Sequence, residues 1–323
     1  MMKLKPLILI LMAIVLSLAI LSACAPTAAV EEGDGLSIVS TIFPSYDFAR
    51  QITADTDARV TLLLQPGEEV HSFAPTSQDI IRIQNADLFL FVGGENDVWV
   101  DGVLSGLDKS VNTFRMMDYV TLYEEELVAG MQEEPEEADA ANVNANEQEW
   151  DEHVWTAPVN AIAIVKAMTA ELISLDPDNA SAFQTNADAY IKQLEALDQS
   201  FREVVNVSGR KTIVFADRFP VRYFVEEFGL NYYAAFPGCS AETDASAATV
   251  ASLIDRVKAD NIPVVFYIEM SNEQMANTVA EATGAMPLLF HSTHNVTKAE
   301  FEGGATYLSL MQNNVIALLA ALN

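Results

Sequence analysis

Four histidines, His71, His153, His291 and His294, are the residues of this chain whose chemistry suits a metal site best. All four fall in predicted loops, mostly just after a predicted strand, where open α/β sheets bind their ligands. Neutral imidazole nitrogens together with a carboxylate are a typical four-donor set for zinc. A set rich in nitrogen favours Zn²⁺ over Mn²⁺, because Mn²⁺ prefers more oxygen ligands.

The carboxylate of this candidate set is Glu269, which ends a strongly apolar predicted strand at 263–268. A carboxylate in that position either caps the next helix or faces a crevice. His291 and His294 are separated by two residues, so both rings reach one ion only if the loop curls. Otherwise one of them supports the site without touching the ion. Cys239 has two interpretations, a metal thiolate or a small buried hydrophobe.

The elements that must position these residues alternate regularly from Leu36 onwards. Short apolar runs are followed by helical patterns, which predicts α/β architecture with a mostly parallel sheet and helices on both faces. Residues 179–207 form an amphipathic pattern without Gly or Pro, and as one helix they would extend roughly 40 Å. We therefore predict two similar lobes, 36–178 and 208–323, joined by this long helix.

Residues 124–152 interrupt the alternation, because they contain twelve Asp or Glu residues and no Lys or Arg. Such a segment cannot bury a core, so we predict a mobile surface loop. It is either simply solvated or a weak collector of cations beside a site. The formal net charge of −29 makes nucleic acid a poor partner, since phosphate binding needs clustered Lys and Arg.

The N-terminal residues 1–23 are predicted to be a targeting segment, with Lys3 and Lys5 ahead of an apolar run. The Leu-Ser-Ala-Cys sequence that ends at Cys24 resembles a bacterial lipobox, in which this cysteine becomes the lipidated first residue. An ordinary signal peptide or an anchor helix is the alternative. Residues 24–35 would then be a flexible tether. We expect an extracytoplasmic protein that is anchored to the bacterial cell membrane by this lipid.

Two histidine motifs resemble those of a known family. Residues 71–79 (His-Ser-Phe-Ala-Pro-Thr-Ser-Gln-Asp) resemble the first metal-ligand motif of the zinc/manganese ABC-transporter substrate-binding proteins, also called ZnuA/TroA-like metal-binding lipoproteins. Residues 151–158 (Asp-Glu-His-Val-Trp-Thr-Ala-Pro) resemble the second motif. The resemblance extends over about 36–323, behind the lipobox.

The resemblance implies a fold and a function. The fold is two four-stranded α/β lobes joined by one rigid helix, with the metal in the cleft between them. The function is that of a binding protein, not an enzyme, which captures a divalent metal outside the cell and delivers it to an ABC transporter membrane permease. We expect such a protein to be a monomer.

The chain departs from the family at the third metal ligand, where a histidine is usual. Residues 214–220 read Val-Phe-Ala-Asp-Arg-Phe-Pro and contain none. Asp217 is a possible substitute, although Arg218 beside it makes an ion pair or a helix cap equally possible. We hypothesise that His291 and His294 together compensate for the missing histidine.

Two other functions fit the same residues. An exported zinc hydrolase would need an open coordination position and a general base, for which Glu269 or Glu152 are candidates. The chain contains no His-Glu-x-x-His or Gly-x-Ser-x-Gly motif of the kind that such enzymes carry. In a metal-stabilised adhesin lipoprotein, the metal would only hold the fold together.

Overall fold

The computed structural model describes five parts of the chain: residues 35–70, 73–131, 149–238, 240 and 245–323. Three residues singled out in the sequence, Cys24, His71 and Cys239, lie outside these parts, as does the middle of the acidic segment. At the described ends of that segment, Glu125 N donates to Glu149 O at 2.9 Å. The two ends of the segment therefore lie side by side.

Two four-stranded parallel sheets are present in the described residues. Their strands are β1 Ser37–Ser40, β2 Arg59–Leu62, β3 Leu88–Phe91, β4 Asn112–Arg115, β5 Thr212–Phe219, β6 Asn231–Pro237, β7 Val264–Tyr267 and β8 Met286–Leu289. The spatial order is β2-β1-β3-β4 in one sheet and β6-β5-β7-β8 in the other. Both halves of the chain thus have the same topology, which confirms the predicted α/β fold of two similar lobes.

Helices cover both faces of the two sheets. They are α1 Phe43–Ile52, α2 Ser77–Asn85, α3 Val98–Ser105, α4 Pro158–Leu175, α5 Ala180–Val207, α6 Arg222–Phe228, α7 Ala247–Ala259, α8 Gln274–Thr283, α9 Lys298–Glu302 and α10 Tyr307–Leu322. The long helix predicted from the sequence is α5, whose 28 residues extend about 42 Å. It packs against α1 and α4 from the first half and against α6 and α10 from the second.

One apolar core runs through both halves. It includes Ile38 of β1, Phe201 of α5 and Phe215 of β5, all fully buried. Two smaller clusters fill the outer faces, one under α2 and α3 and the other under α7 and α8. Because both faces of each sheet are covered, the inner strands β3 and β7 are continuous apolar runs, as parallel strands usually are.

Helix α4 has a strongly apolar sequence because it packs in this core. By length and composition it is the one helix of the described residues that could cross a membrane. It nevertheless packs along α5, and its side chains Ile164, Val165 and Met168 are fully buried. These contacts are those of a core helix.

Two elements were not predicted, β4 and α9. In β4 only Phe114 is buried, so this edge strand has no apolar run to reveal it. Helix α9 has five residues, and its signal is a capping box in which Thr297 and Glu300 exchange hydrogen bonds. Hydrophobic periodicity therefore detects neither element, since β4 has one buried residue and α9 has only five residues.

Asp47 in α1 links the two halves of the chain. Its carboxylate accepts a hydrogen bond at 2.9 Å from the backbone nitrogen of Tyr307, the first residue of α10. A negative charge is favourable at such a helix N-terminus. Burial nevertheless raises the pKa of Asp47, and the bonds from Tyr307 and Gln51, with the charge of Arg50, offset only part of that effect.

Replacing Asp47 with Asn should therefore change how stability depends on pH. A folded pKa above the unfolded value of about 3.9 means that protonated Asp47 stabilises the fold at low pH. That contribution is lost as the pH rises through the folded pKa, whereas an amide does not titrate. The stability of D47N relative to the wild type should increase from about pH 4 to pH 7 in urea denaturation with chelator present. A difference between the two proteins that is constant over this range would contradict the assignment.

Candidate metal-binding site

The loops at the carboxyl ends of both sheets enclose a cavity of about 20 Å³ between the two halves. Residues from both halves line it: Glu68, Glu69, Val70, His153, Arg218, Pro220, Gly238, Ile268, Glu269, Met270, Ser292, His294 and Asn295. That volume has room for about one water molecule or one ion. The cavity therefore has room for a bare ion.

His153 is fully buried in the wall of this cavity, just ahead of a 3₁₀ turn at Val154–Thr156. Asp151 Oδ1 accepts from its backbone nitrogen at 2.8 Å and lies 3.1 Å from its Nδ1. This contact fixes the ring and makes Nε2 the nitrogen that carries the lone pair, as in metal-binding histidines. Burial alone would lower the pKa of His153, but the carboxylates of Asp151 and Glu152 outweigh burial and raise it.

His294 faces His153 from the other half of the chain. The two ring centroids are 5.2 Å apart and the ring planes are nearly perpendicular, while Trp155 packs 4.8 Å from the His294 ring. Two imidazoles that bind one tetrahedral zinc at 2.0–2.1 Å have centroids roughly 5 Å apart. The spacing of His153 and His294 therefore fits two ligands of one ion.

Glu269 lines the same cavity and holds the loop that carries His294. Its carboxylate accepts from Ser292 N at 2.7 Å, from the Ser292 hydroxyl and from His294 N at 3.1 Å. It faces the crevice, which is one of the two predicted possibilities. Its oxygens are engaged in fixing the loop.

His291 does not line the cavity, although the loop curls between it and His294. The curl occurs at Thr293, whose φ of 63° is strained for a β-branched residue. Thr293 N donates to His291 Nδ1 at 2.9 Å, and His291 Nε2 lies 3.7 Å from a carboxylate oxygen of Glu300. The two rings thus point to different surroundings, and only His294 reaches the cavity.

In the segment where the family histidine is missing, Asp217 and Arg218 have different roles. Asp217 accepts from Arg218 N at 2.8 Å and from Ile268 N at 3.3 Å, and it does not line the cavity. Arg218 does line it and pairs with Glu69 at 3.0 Å, whereas the ion pair considered in the sequence was one with its neighbour Asp217. Its partner, 149 residues away, could not be identified from the sequence.

Three aromatic side chains fix the two halves against each other around the cavity. Trp155 Nε1 donates to Ser292 O at 2.8 Å, and the Tyr307 hydroxyl donates to Trp155 O at 2.7 Å. The Tyr223 hydroxyl donates to Asp151 O at 2.7 Å. Sequence reasoning missed these bonds because no local pattern indicates where a hydroxyl or an indole N–H will find its partner.

Among the described residues, no three His, Cys, Asp or Glu side chains are gathered closely enough to hold an ion. His71 lies outside these residues, but its neighbour Val70 lines the cavity. His153 and His294 are therefore the predicted ligands that the structure brings together.

Two α/β lobes of equal topology thus line one ion-sized cavity, with one histidine from each lobe. Residues 38–321 match the family model described as zinc-uptake complex component A periplasmic, and the chain belongs to this family. The family resemblance predicted from the sequence is thereby confirmed.

Several relatives are similar over most of the chain. The zinc-binding lipoprotein AdcA of Streptococcus pneumoniae (strain TIGR4) is 31% identical over 290 residues, which cover 89% of this chain and 56% of AdcA. The chain thus spans little more than half of that relative. The high-affinity zinc uptake system protein ZnuA of Bacillus subtilis is 30% identical over 291 residues, 89% of this chain and 88% of that protein. The Zn(II)-bound ZnuA-like domain of pneumococcal AdcA superposes with a TM-score of 0.73 at 29% identity, covering 89% of this chain and 99% of that domain.

Replacing Asp151 with Asn should weaken zinc binding about 10- to 100-fold, because carboxylates that orient a metal-binding histidine have effects of that size. The amide keeps the volume of the side chain but removes the charge beside His153 Nδ1. Competition with a chromophoric zinc chelator measures the affinity. The exposed Asp118, changed to Asn, serves as the control and should bind as the wild type does. Equal affinity in D151N and D118N would show that His153 is not held for a metal.

Proposed function

We propose that the protein captures a divalent transition metal, Zn²⁺, outside the cytoplasm and delivers it to an ABC permease. One observation carries this proposal, namely that His153 and His294 face each other across a cavity of ion size. Membership of a family of zinc-uptake components supports it. The zinc-binding names of the relatives point the same way.

The proposed ligands are three histidines. His153 and His294 are supported by their spacing and burial, and His71 by its motif. Both oxygens of Glu269 already accept hydrogen bonds from the loop of His294. His291 would have to turn away from Glu300. We therefore assign Glu269 and His291 to the support of the loop, not to the metal shell.

The choice of zinc over manganese rests on the donors. Imidazole nitrogens suit zinc, while manganese prefers carboxylate and carbonyl oxygens. Zinc also accepts four ligands in a small tetrahedral site, whereas manganese usually takes six.

Delivery to the permease needs a difference between loaded and empty protein. Because several short hydrogen bonds join the lobes around the cavity, that difference should be a modest shift of loops or lobes rather than a wide opening.

We further propose that lipid on Cys24 anchors the protein to the outer side of the cell membrane. Residues 36–178 and 208–323 act as its lobes, and it works as a monomer.

The hydrolase alternative has less support than the binding protein. The family is one of transport components and not an enzyme family. Glu152, one candidate general base, is held by Asn96 N at 3.2 Å and lines a second small cavity, which His294 but not His153 lines. An adhesin in which metal only stabilises the fold would lose its folded state on chelation.

Substitution of the two late histidines tests the proposed ligands. H294A should weaken zinc binding roughly a hundredfold or more, because it removes a ligand, and H291A should weaken it far less. H291A is the matched control, since both residues are buried in the same loop. Titration of metal-stripped protein should give one Zn²⁺ per chain and weaker binding of Mn²⁺. Unchanged affinity in H294A, or equal losses in both variants, would refute the assignment.

A further inference from the structure

Asn295 follows His294 and lines the cavity, and its side chain joins the two lobes. Its Nδ2 group donates to Gln65 O and to Glu68 O of the other lobe, both at 2.9 Å. Its Oδ1 atom accepts from Val296 N at 2.8 Å within its own loop. Asn295 is 1% exposed, so the whole amide is buried and both hydrogens of its nitrogen are used on the other lobe.

The two carbonyl groups that Asn295 binds belong to one tight turn, residues 65–68. Glu68 N donates to Gln65 O at 3.0 Å and closes this turn, and Gly67 has a φ of 88°. Proline followed by a glycine with positive φ is typical of a type II turn. Because one nitrogen donates to both ends of the turn, the turn and the Asn295 side chain fix each other's position.

The backbone around Asn295 adds two further bonds between the lobes. Gly67 N donates to Val296 O at 2.8 Å, and Phe43 N donates to His294 O at 3.3 Å. The segment 294–296 is thus bonded to the other lobe at each of its three residues.

These contacts hold His294 between the lobes. Its backbone nitrogen is bonded at 3.1 Å to Glu269 of its own lobe, while the next residue, Asn295, is bonded to the turn of the other lobe. His153 belongs to that other lobe, and its ring centroid is 5.2 Å from that of His294. The separation of the two rings therefore depends on how the loop of His294 is joined to the other lobe.

We propose that Asn295 is a positioning residue, whose amide holds the turn 65–68 against the loop of His294 and so keeps His294 opposite His153. This inference rests on the proposed function, in which these two histidines bind one zinc ion. Ligands that are held in the binding arrangement beforehand lose no affinity to rearrangement. When that arrangement is only partly populated, the affinity falls in proportion.

The zinc affinity of N295A tests the proposal. This variant should bind zinc roughly 3- to 30-fold more weakly than the wild type, because losing two buried hydrogen bonds lowers the population of the joined arrangement by about that factor. N186A is the matched control. Asn186 Nδ2 also donates to two backbone carbonyls, Ile52 O at 3.1 Å and Ala54 O at 2.8 Å, and none of these residues lines the cavity. Equal affinities in N295A and N186A, both folded by circular dichroism, would overturn the proposal.

A double-mutant cycle with Gly67 separates positioning from a general loss of stability. A Cβ atom at Gly67 would meet no atom within 4 Å, so G67A acts on the turn through the strain of its positive φ. G67A and N295A disturb the same contact from opposite lobes. The double variant should therefore bind zinc about as weakly as the more affected single variant. Losses that multiply would mean that the two residues act independently and would refute the role of Asn295.

N295S takes the place of N295A in both measurements if N295A does not fold, because a serine hydroxyl is too short to reach the turn. If the wild type binds one zinc and neither N295A nor N295S binds it more weakly, the role of Asn295 alone fails. A wild type that binds no zinc would overturn the proposed function itself, and this role with it.

Discussion

The loop from His291 to Val296 is bonded to both lobes, and the position of the candidate site depends on those bonds. From its own lobe, Glu269 binds the backbone of Ser292 and His294. From the other lobe, Trp155 donates to Ser292 O. Because these groups are buried, any displacement of the loop would leave polar atoms without partners, which is expensive. The loop therefore holds His294 in place before a metal arrives.

The shared topology of the two halves explains why the loops meet where they do. In each sheet the chain order reverses between the first and third strands, at β1 and β3 in one and at β5 and β7 in the other. Loops diverge at such a point and leave a crevice at the carboxyl ends of the strands. The crevices of the two sheets face each other, and His153 and His294 close the space between them. A cavity assembled in this way is lined by residues of both lobes, so its shape depends on their relative position.

The sequence predicted the larger features because their signals are repeated many times. The alternation of strands and helices is spread over the whole chain, and α5 has 28 residues of consistent amphipathic pattern. His153 was identifiable because its neighbours form a motif. The different orientations of His291 and His294 were not predictable, since they depend on the positive φ angle of one buried residue, Thr293. Spacing in the sequence states how far apart two residues are along the chain, but not which way each ring turns.

The ion pair of Arg218 is the clearest example of a contact that the sequence could not predict, and it sets the charge of the cavity wall. A histidine in that segment would offer the metal a neutral ligand, whereas arginine brings a permanent charge that must be balanced in a closed space. The balancing carboxylate of Glu69 comes from the opposite lobe, 149 residues away. The Arg218–Glu69 pair thus balances this charge and joins the two lobes at the wall of the cavity.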